Sequence, residues 1–185
     1  LVIVRDDLIP EPDACLPGTP TMSMYKTHAD NDSMYNTPPC YTIYVLGKVL
    51  HWIEKNGGAK GINKLNVEKA KYLYDFLDSS DFYHATTEPG SRSLMNVPFL
   101  TKYSNDVTKE AAKVDEAEQT AEQKAALAKE KEINAKFVKE AEAAGFVNLK
   151  GHRLVGGMRA SIYNAMTLDG VKALVEFMKK FAENN

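Results

Sequence analysis

The residues of this 185-residue chain best suited to chemistry lie close together, in Gly151-His152-Arg153-Leu154-Val155-Gly156-Gly157-Met158-Arg159-Ala160. Two guanidinium groups and an imidazole surround a glycine pair. A guanidinium presents a planar fork of donors that matches a carboxylate or phosphate, and a histidine adds a neighbouring donor. Arg159 opens the alternation of Ala160 and Ile162 that predicts a strand over Met158–Tyr163, so its head group would be held at a sheet edge. On these residues alone two alternatives stand. They form a site for a small acid, or the arginines make surface ion pairs while His152 serves a turn.

The second candidate is Met34-Tyr35-Asn36-Thr37-Pro38-Pro39. Proline is tolerated at the first positions of a helix, so this segment predicts one running to about Lys55. Asn36 and Thr37 would then set side-chain donors beside the positive end of the helix dipole, which is the physics of phosphate binding. Either residue could equally be a simple cap. The four histidines, His28, His51, His84 and His152, have no metal-ligand spacing, so no metal site is expected. Cys15 and Cys40 make no CxxC pair, and a core of this size needs no disulfide. Gly57-Gly58-Ala59-Lys60-Gly61 only mimics a phosphate loop, since it follows a helix instead of a strand, and Arg92 reads as a surface residue before an acid ligand.

These residues need elements to hold them. Lys+Arg 23 against Asp+Glu 25 gives a net charge of −2, without the basic excess of a nucleic-acid or anionic-membrane binder. No apolar run approaches the roughly 20 residues of a membrane span, and a cytoplasmic protein is expected. Leu1-Val2-Ile3-Val4 reads as a strand buried on both faces, whose neighbours the following residues do not supply. Residues 10–39, rich in Pro, Gly, Ser, Thr, Asn and Asp, read as a long loop or crossing segment. The helix to Lys55 is apolar on two faces, with Tyr41, Tyr44 and Trp52 on one and Ile43, Leu50 and Ile53 on the other, and is expected to be buried on most sides. Asn56-Gly57-Gly58 marks a boundary between a first domain, 1–58, and a second, 59–185. In the second, a helix over Ile62–Leu77 precedes strands at Phe82–Ala85 and Ser93–Val97. Residues 106–144 carry Ala, Glu, Lys and Gln with no Gly or Pro, which predicts a charged helix or helix pair with one thin buried face. Short strands at Phe146–Leu149 and Met158–Tyr163 and a helix over Leu168–Phe181 complete an α+β layer in a chain of the α/β class.

Taken together, these motifs resemble the C-terminal half of the phosphoserine aminotransferases, class V aminotransferases dependent on pyridoxal phosphate and built on fold type I. The resemblance is carried by the apolar opening strand, Tyr35-Asn36-Thr37-Pro38-Pro39, Trp52 to Gly58, Ser91-Arg92-Ser93-Leu94-Met95-Asn96-Val97-Pro98-Phe99 and Gly151-His152-Arg153 through Gly156-Gly157-Met158-Arg159-Ala160-Ser161-Ile162-Tyr163-Asn164-Ala165. It runs in register along nearly the whole chain. It implies that residues 1–58 end the large cofactor domain and that 59–185 are the small domain, with a charged helical insertion at about 106–144.

The resemblance further implies a homodimer in which Asn36 and Thr37 reach the cofactor phosphate bound by the other subunit. Arg159 would take the substrate α-carboxylate, and His152 and Arg153 the distal acid. The reaction would move the amino group of L-glutamate to 3-phosphohydroxypyruvate, giving O-phospho-L-serine and 2-oxoglutarate in serine biosynthesis. The family's Schiff-base lysine precedes the strand matching Leu1–Val4, so no catalytic residue is expected in these 185 residues, and alone they should not transaminate. The alternative is a non-catalytic acid-binding or interaction module derived from the small domain.

Overall fold

The structure is a computed structural model that describes residues 1–9, 20–152 and 156–185, the side chains of 20–24 excepted. Arg153 and Cys15 lie outside the described residues. The chain divides into two compact units, Leu1–Lys55 and Asn56–Asn185.

The first unit holds a one-turn 3-10 helix at Asp6–Leu8 and two α-helices, α1 (Pro20–Asp30) and α2 (Cys40–Lys55). Three expectations are corrected here. Leu1–Val4 forms no strand and its apolar side chains are largely exposed, because no other strand of the unit is described to complete its hydrogen bonds. The expected loop over 10–39 contains α1, whose ten residues after Pro20 carry neither Gly nor Pro, and Pro20 occupies the first helical position, which needs no N–H. Helix α2 begins at Cys40, slightly later than expected, and has no buried residue: Tyr41 is 80 % exposed and Tyr44 61 %. None of the described residues of its own unit covers both of its apolar faces.

The second unit is a three-stranded antiparallel sheet in the order β1 (Tyr83–Ala85), β2 (Asn96–Thr101), β3 (Met158–Ser161), with helices α3 (Gly58–Asp78), α4 (Asp106–Ala111), α5 (Ala121–Ala143) and α6 (Leu168–Glu183). Side chains alternate between the faces of a strand. Val97, Phe99 and Thr101 of β2 and Met158 and Ala160 of β3 are therefore buried, while Asn96, Pro98, Arg159 and Ser161 occupy the other face. Register pairs Asn96 with Ser161 and Pro98 with Arg159, so the residues of that second face are cross-strand neighbours.

The buried face packs on α3 through Leu73 and Leu77, on α5 through Ile133 and Phe137, and on α6 through Val171, Val175, Met178 and Phe181. Phe137 is fully buried and meets the rings of Tyr83, Phe99, Phe177 and Phe181 edge-on at centroid separations of 6.1, 5.9, 5.4 and 5.0 Å. The charged stretch is thus two helices, and the second supplies the core residues Ile133, Phe137 and Ala141. The break comes before Thr120, whose hydroxyl accepts from Gln123 N–H while the Gln123 side chain accepts from Thr120 N–H. In the intervening turn the Gln119 amide donates to the carbonyls of Ala111 and Val114.

The expected strand at Phe146–Leu149 is also corrected: only single pairings survive, Arg159 N–H donating to Leu149 O at 2.8 Å and Lys150 bridging to Met158. Asn148, in the left-handed region at φ 61, breaks the extended run. Beyond β3 the chain is fastened to α3. Lys69, 2 % exposed, donates from Nζ to the carbonyls of Ile162 and Tyr163 at 3.2 and 2.8 Å, and Asn66 Nδ2 donates to Asn164 Oδ1 at 2.8 Å. Burial pushes the Lys69 ammonium below its ordinary pKa.

Candidate functional site

A cavity of about 250 Å³ opens on the sheet face opposite the core. Asn96 and Pro98 from β2 and Arg159 from β3 form its floor. One wall is the turn between β1 and β2, through Thr87, Ser91 and Ser93. The other is the segment that feeds β3, through His152 and Gly156. That segment runs antiparallel to its own return: Gly151 N–H donates to Gly157 O at 2.9 Å and Gly156 N–H to His152 O at 2.8 Å. The pairing explains Gly151, since a Cβ there would lie 1.9 Å from Gly156 O.

Arg159 is the chemical centre of this cavity. Its Nε is buried without a hydrogen-bond partner, and among the described residues its side chain makes no ion pair. An unpaired, desolvated donor on a cation is costly. A carboxylate or phosphate oxygen entering the cavity would satisfy it, and the fork makes that contact bidentate. Around it Asn96 is held at both ends of its amide, accepting from Ser161 Oγ at 3.1 Å and donating to Tyr163 Oη at 3.0 Å. Ser93 Oγ accepts the N–H groups of Met95 and Asn96 and so fixes the turn. The hydroxyls of Thr87 and Ser91 have no hydrogen bond to any described residue.

The structure therefore brings His152 and Arg159 to one cavity. It adds Thr87, Ser91 and Asn96, which sequence reasoning did not single out. The signal for the first two was the Thr86-Thr87-Glu88-Pro89-Gly90-Ser91 turn, rich in hydroxyls but also what any loop between strands looks like. Arg92 points elsewhere: Nη1 and Nη2 donate to the two oxygens of Asp78 at 2.7 and 2.6 Å, and the group lies 4.4 Å from the centre of the Tyr74 ring. The hydrogen bonds from Arg92 hold the Asp78 carboxyl below the usual carboxylate range.

Asn36 and Thr37 lie in the first unit, exposed, in the irregular stretch between α1 and α2. Asp32 and Ser33, at φ 50 and 62, turn the chain there, with Ser33 N–H donating to His28 O at 2.7 Å. Neither side chain of the pair is hydrogen-bonded within the described residues. Two neutral donors just ahead of a sixteen-residue helix are a donor set that fits a phosphate. Among the described residues no three of His, Cys, Asp and Glu converge as metal ligands, and no helix is long and apolar enough to cross a membrane.

The chain is similar to a set of known proteins. A phosphoserine aminotransferase of Listeria monocytogenes serovar 1/2a is 50 % identical over 182 residues, 98 % of this chain and 42 % of its own length. One from Nitrosomonas europaea is 48 % identical over all of this chain and 42 % of its own length. The solved phosphoserine aminotransferase of Bacillus circulans subsp. alkalophilus superposes at a TM-score of 0.76, with 39 % identity over 98 % of this chain and 42 % of its own. A PLP-bound phosphoserine aminotransferase from Trichomonas vaginalis superposes at 0.68, with 36 % identity over 89 % of this chain and 39 % of its own. The chain thus spans about 42 % of the length of the relatives it matches, and its mixed α/β fold is the fold of that part of them. The family model for class-V aminotransferases matches residues 1–174, and the chain belongs to that family.

Proposed function

We propose that this chain is part of a phosphoserine aminotransferase that moves the amino group of L-glutamate to 3-phosphohydroxypyruvate, giving O-phospho-L-serine and 2-oxoglutarate. The observation that carries the reading is Arg159, a guanidinium with a buried, unpartnered Nε in a cavity walled by hydroxyls. Arg159 binds the α-carboxylate common to all four compounds. His152, in the same cavity, and Arg153 bind the second acid, which is a phosphate in one pair and a carboxylate in the other. A site with two cationic ends accepts both pairs in one orientation, as a reaction in two halves requires.

Pyridoxal phosphate supplies the electron sink for the chemistry. Asn36 and Thr37 offer neutral donors to its phosphate, across the interface of a homodimer. None of the described lysines lines the Arg159 cavity, and Lys69 is committed to two carbonyls. The chain spans about 42 % of the length of its relatives, and we read transamination as an activity of the longer protein.

The test is Arg159→Ala in the complete enzyme. Loss of a desolvated charge partner costs about 2–5 kcal/mol, to be read in kcat/KM for both glutamate and phosphoserine. Unchanged values for both substrates would reject the α-carboxylate role.

A further inference from the structure

The turn that walls the cavity is shaped from outside its own sequence. Tyr74 and Asp78 are four residues apart on α3 and so share a face. Both act on the turn between β1 and β2. Tyr74 Oη donates to Ser93 O at 3.3 Å, and Asp78 takes the Arg92 fork at 2.7 and 2.6 Å. Arg92 in turn donates from Nε to Thr87 O at 3.3 Å and stacks over the Tyr74 ring. The two carbonyls so held belong to Thr87 and Ser93, which both line the cavity, while Arg92 does not line it. Ser91, between them, is fixed by a turn in which its N–H donates to Glu88 O at 2.9 Å.

An exposed ion pair would contribute little. This one is a bidentate fork backed by an aromatic ring, and the Arg92 side chain is only 17 % exposed. It ties a turn that holds just one three-residue 3-10 helix, Pro89–Ser91, to α3, which packs beneath the sheet. We propose that Arg92 is a positioning residue for the acid site: through Asp78 and Tyr74 it fixes the Thr87 and Ser91 hydroxyls at the mouth occupied by the acid that Arg159 binds. The inference rests on the acid-site reading of Arg159. Because Arg92 touches neither substrate nor reacting atoms, its removal acts on substrate affinity and leaves the chemical step alone. A fork that only stabilised the fold would shift unfolding and leave affinity untouched.

The experiment uses the complete enzyme with three variants. Arg92→Lys keeps a cation near Tyr74 but cannot fork, and Asp78→Asn removes the acceptor charge with little change of shape. Each should raise KM for O-phospho-L-serine about tenfold, the equivalent of about 1.4 kcal/mol or one hydrogen bond, with kcat within about twofold. The double variant should be no worse than either single one, since both break the same fork. Arg159→Ala is the control. If KM is unchanged in Arg92→Lys and Asp78→Asn while the unfolding midpoint falls, or if their effects multiply, the positioning role is overturned. If Arg159→Ala also leaves KM unchanged, the acid-site reading falls with it; if Arg159→Ala alone raises KM, only the role of Arg92 falls.

Discussion

Replacing Arg159 with methionine should stabilise the protein in the absence of substrate and at the same time weaken its response to acids. Methionine keeps an apolar stem of similar length and removes the buried Nε–H that has no partner. A buried donor left unsatisfied costs about 1–3 kcal/mol, so the variant should gain stability of that order. In a fold of this size each kcal/mol moves the unfolding midpoint by about 2–4 °C. The wild-type protein recovers the deficit by binding: an acid at a hundred times its Kd contributes about 2.7 kcal/mol, and the variant, which binds the acid more weakly, receives less of it. The assay is urea or thermal unfolding with and without O-phospho-L-serine. The gap should close on adding ligand, with Arg159→Met more stable in buffer and the wild type level with it or ahead at saturating ligand. A variant less stable than wild type in buffer, or an equal ligand-induced shift in both, would refute the argument that Arg159 is held unpaired for a ligand.

Other expectations follow from packing and burial. Phe137→Ala removes a ring that touches four others and should cost about 3–5 kcal/mol in urea unfolding; a cost below about 1 kcal/mol would return α5 to the status of a solvated appendage. Gly151→Ala drives a Cβ to 1.9 Å from Gly156 O and 2.6 Å from Gly157 O, so it should open the segment carrying His152 and weaken O-phospho-L-serine binding in a titration. Its stability cost should be about 1–3 kcal/mol. Burial, with a smaller contribution from Lys109, holds the His84 pKa below its ordinary 6.5. The folded protein therefore binds fewer protons there than the unfolded chain, and stability should fall as pH drops below 6.5 through the folded pKa. In His84→Gln that acid-side slope should be shallower, measured as urea midpoints between about pH 5 and pH 8.

How far the sequence leads depends on whether an element is stabilised by its own residues. The stripe of Val171, Leu174, Val175, Met178 and Phe181 predicts α6 closely, because periodicity is a local property, and the structure caps that helix with Thr167. Helix α1 was obscured by the prolines and glycines before it, although Thr21 to Asp30 has no breaker. Leu1–Val4 and α2 carry the composition of buried elements but remain exposed, since burial is a property of what surrounds them. The split of the charged stretch was legible in Thr120-Ala121-Glu122-Gln123, a capping-box pattern easily passed over inside a run of good helix formers. At the site, the fork chemistry of Arg159 and His152 can be read from residue type and spacing. The lack of a counter-ion for Arg159 among the described residues, and the capture of Arg92 by Asp78, depend on which residues the fold brings together across 14 positions of sequence or more.

The four residues of β3 divide their side chains between core and cavity, Met158 and Ala160 inward and Arg159 and Ser161 outward. Such a partition makes the strand intolerant of changes in length. A single-residue insertion or deletion between Leu149 and Met158 that shifted the pairing by one place would aim a guanidinium into an apolar core and leave an alanine facing the cavity. Variation in the loop ahead of β3 should therefore come as substitutions, or as length changes absorbed between His152 and Gly156 without disturbing the pairing of Gly151 with Gly157.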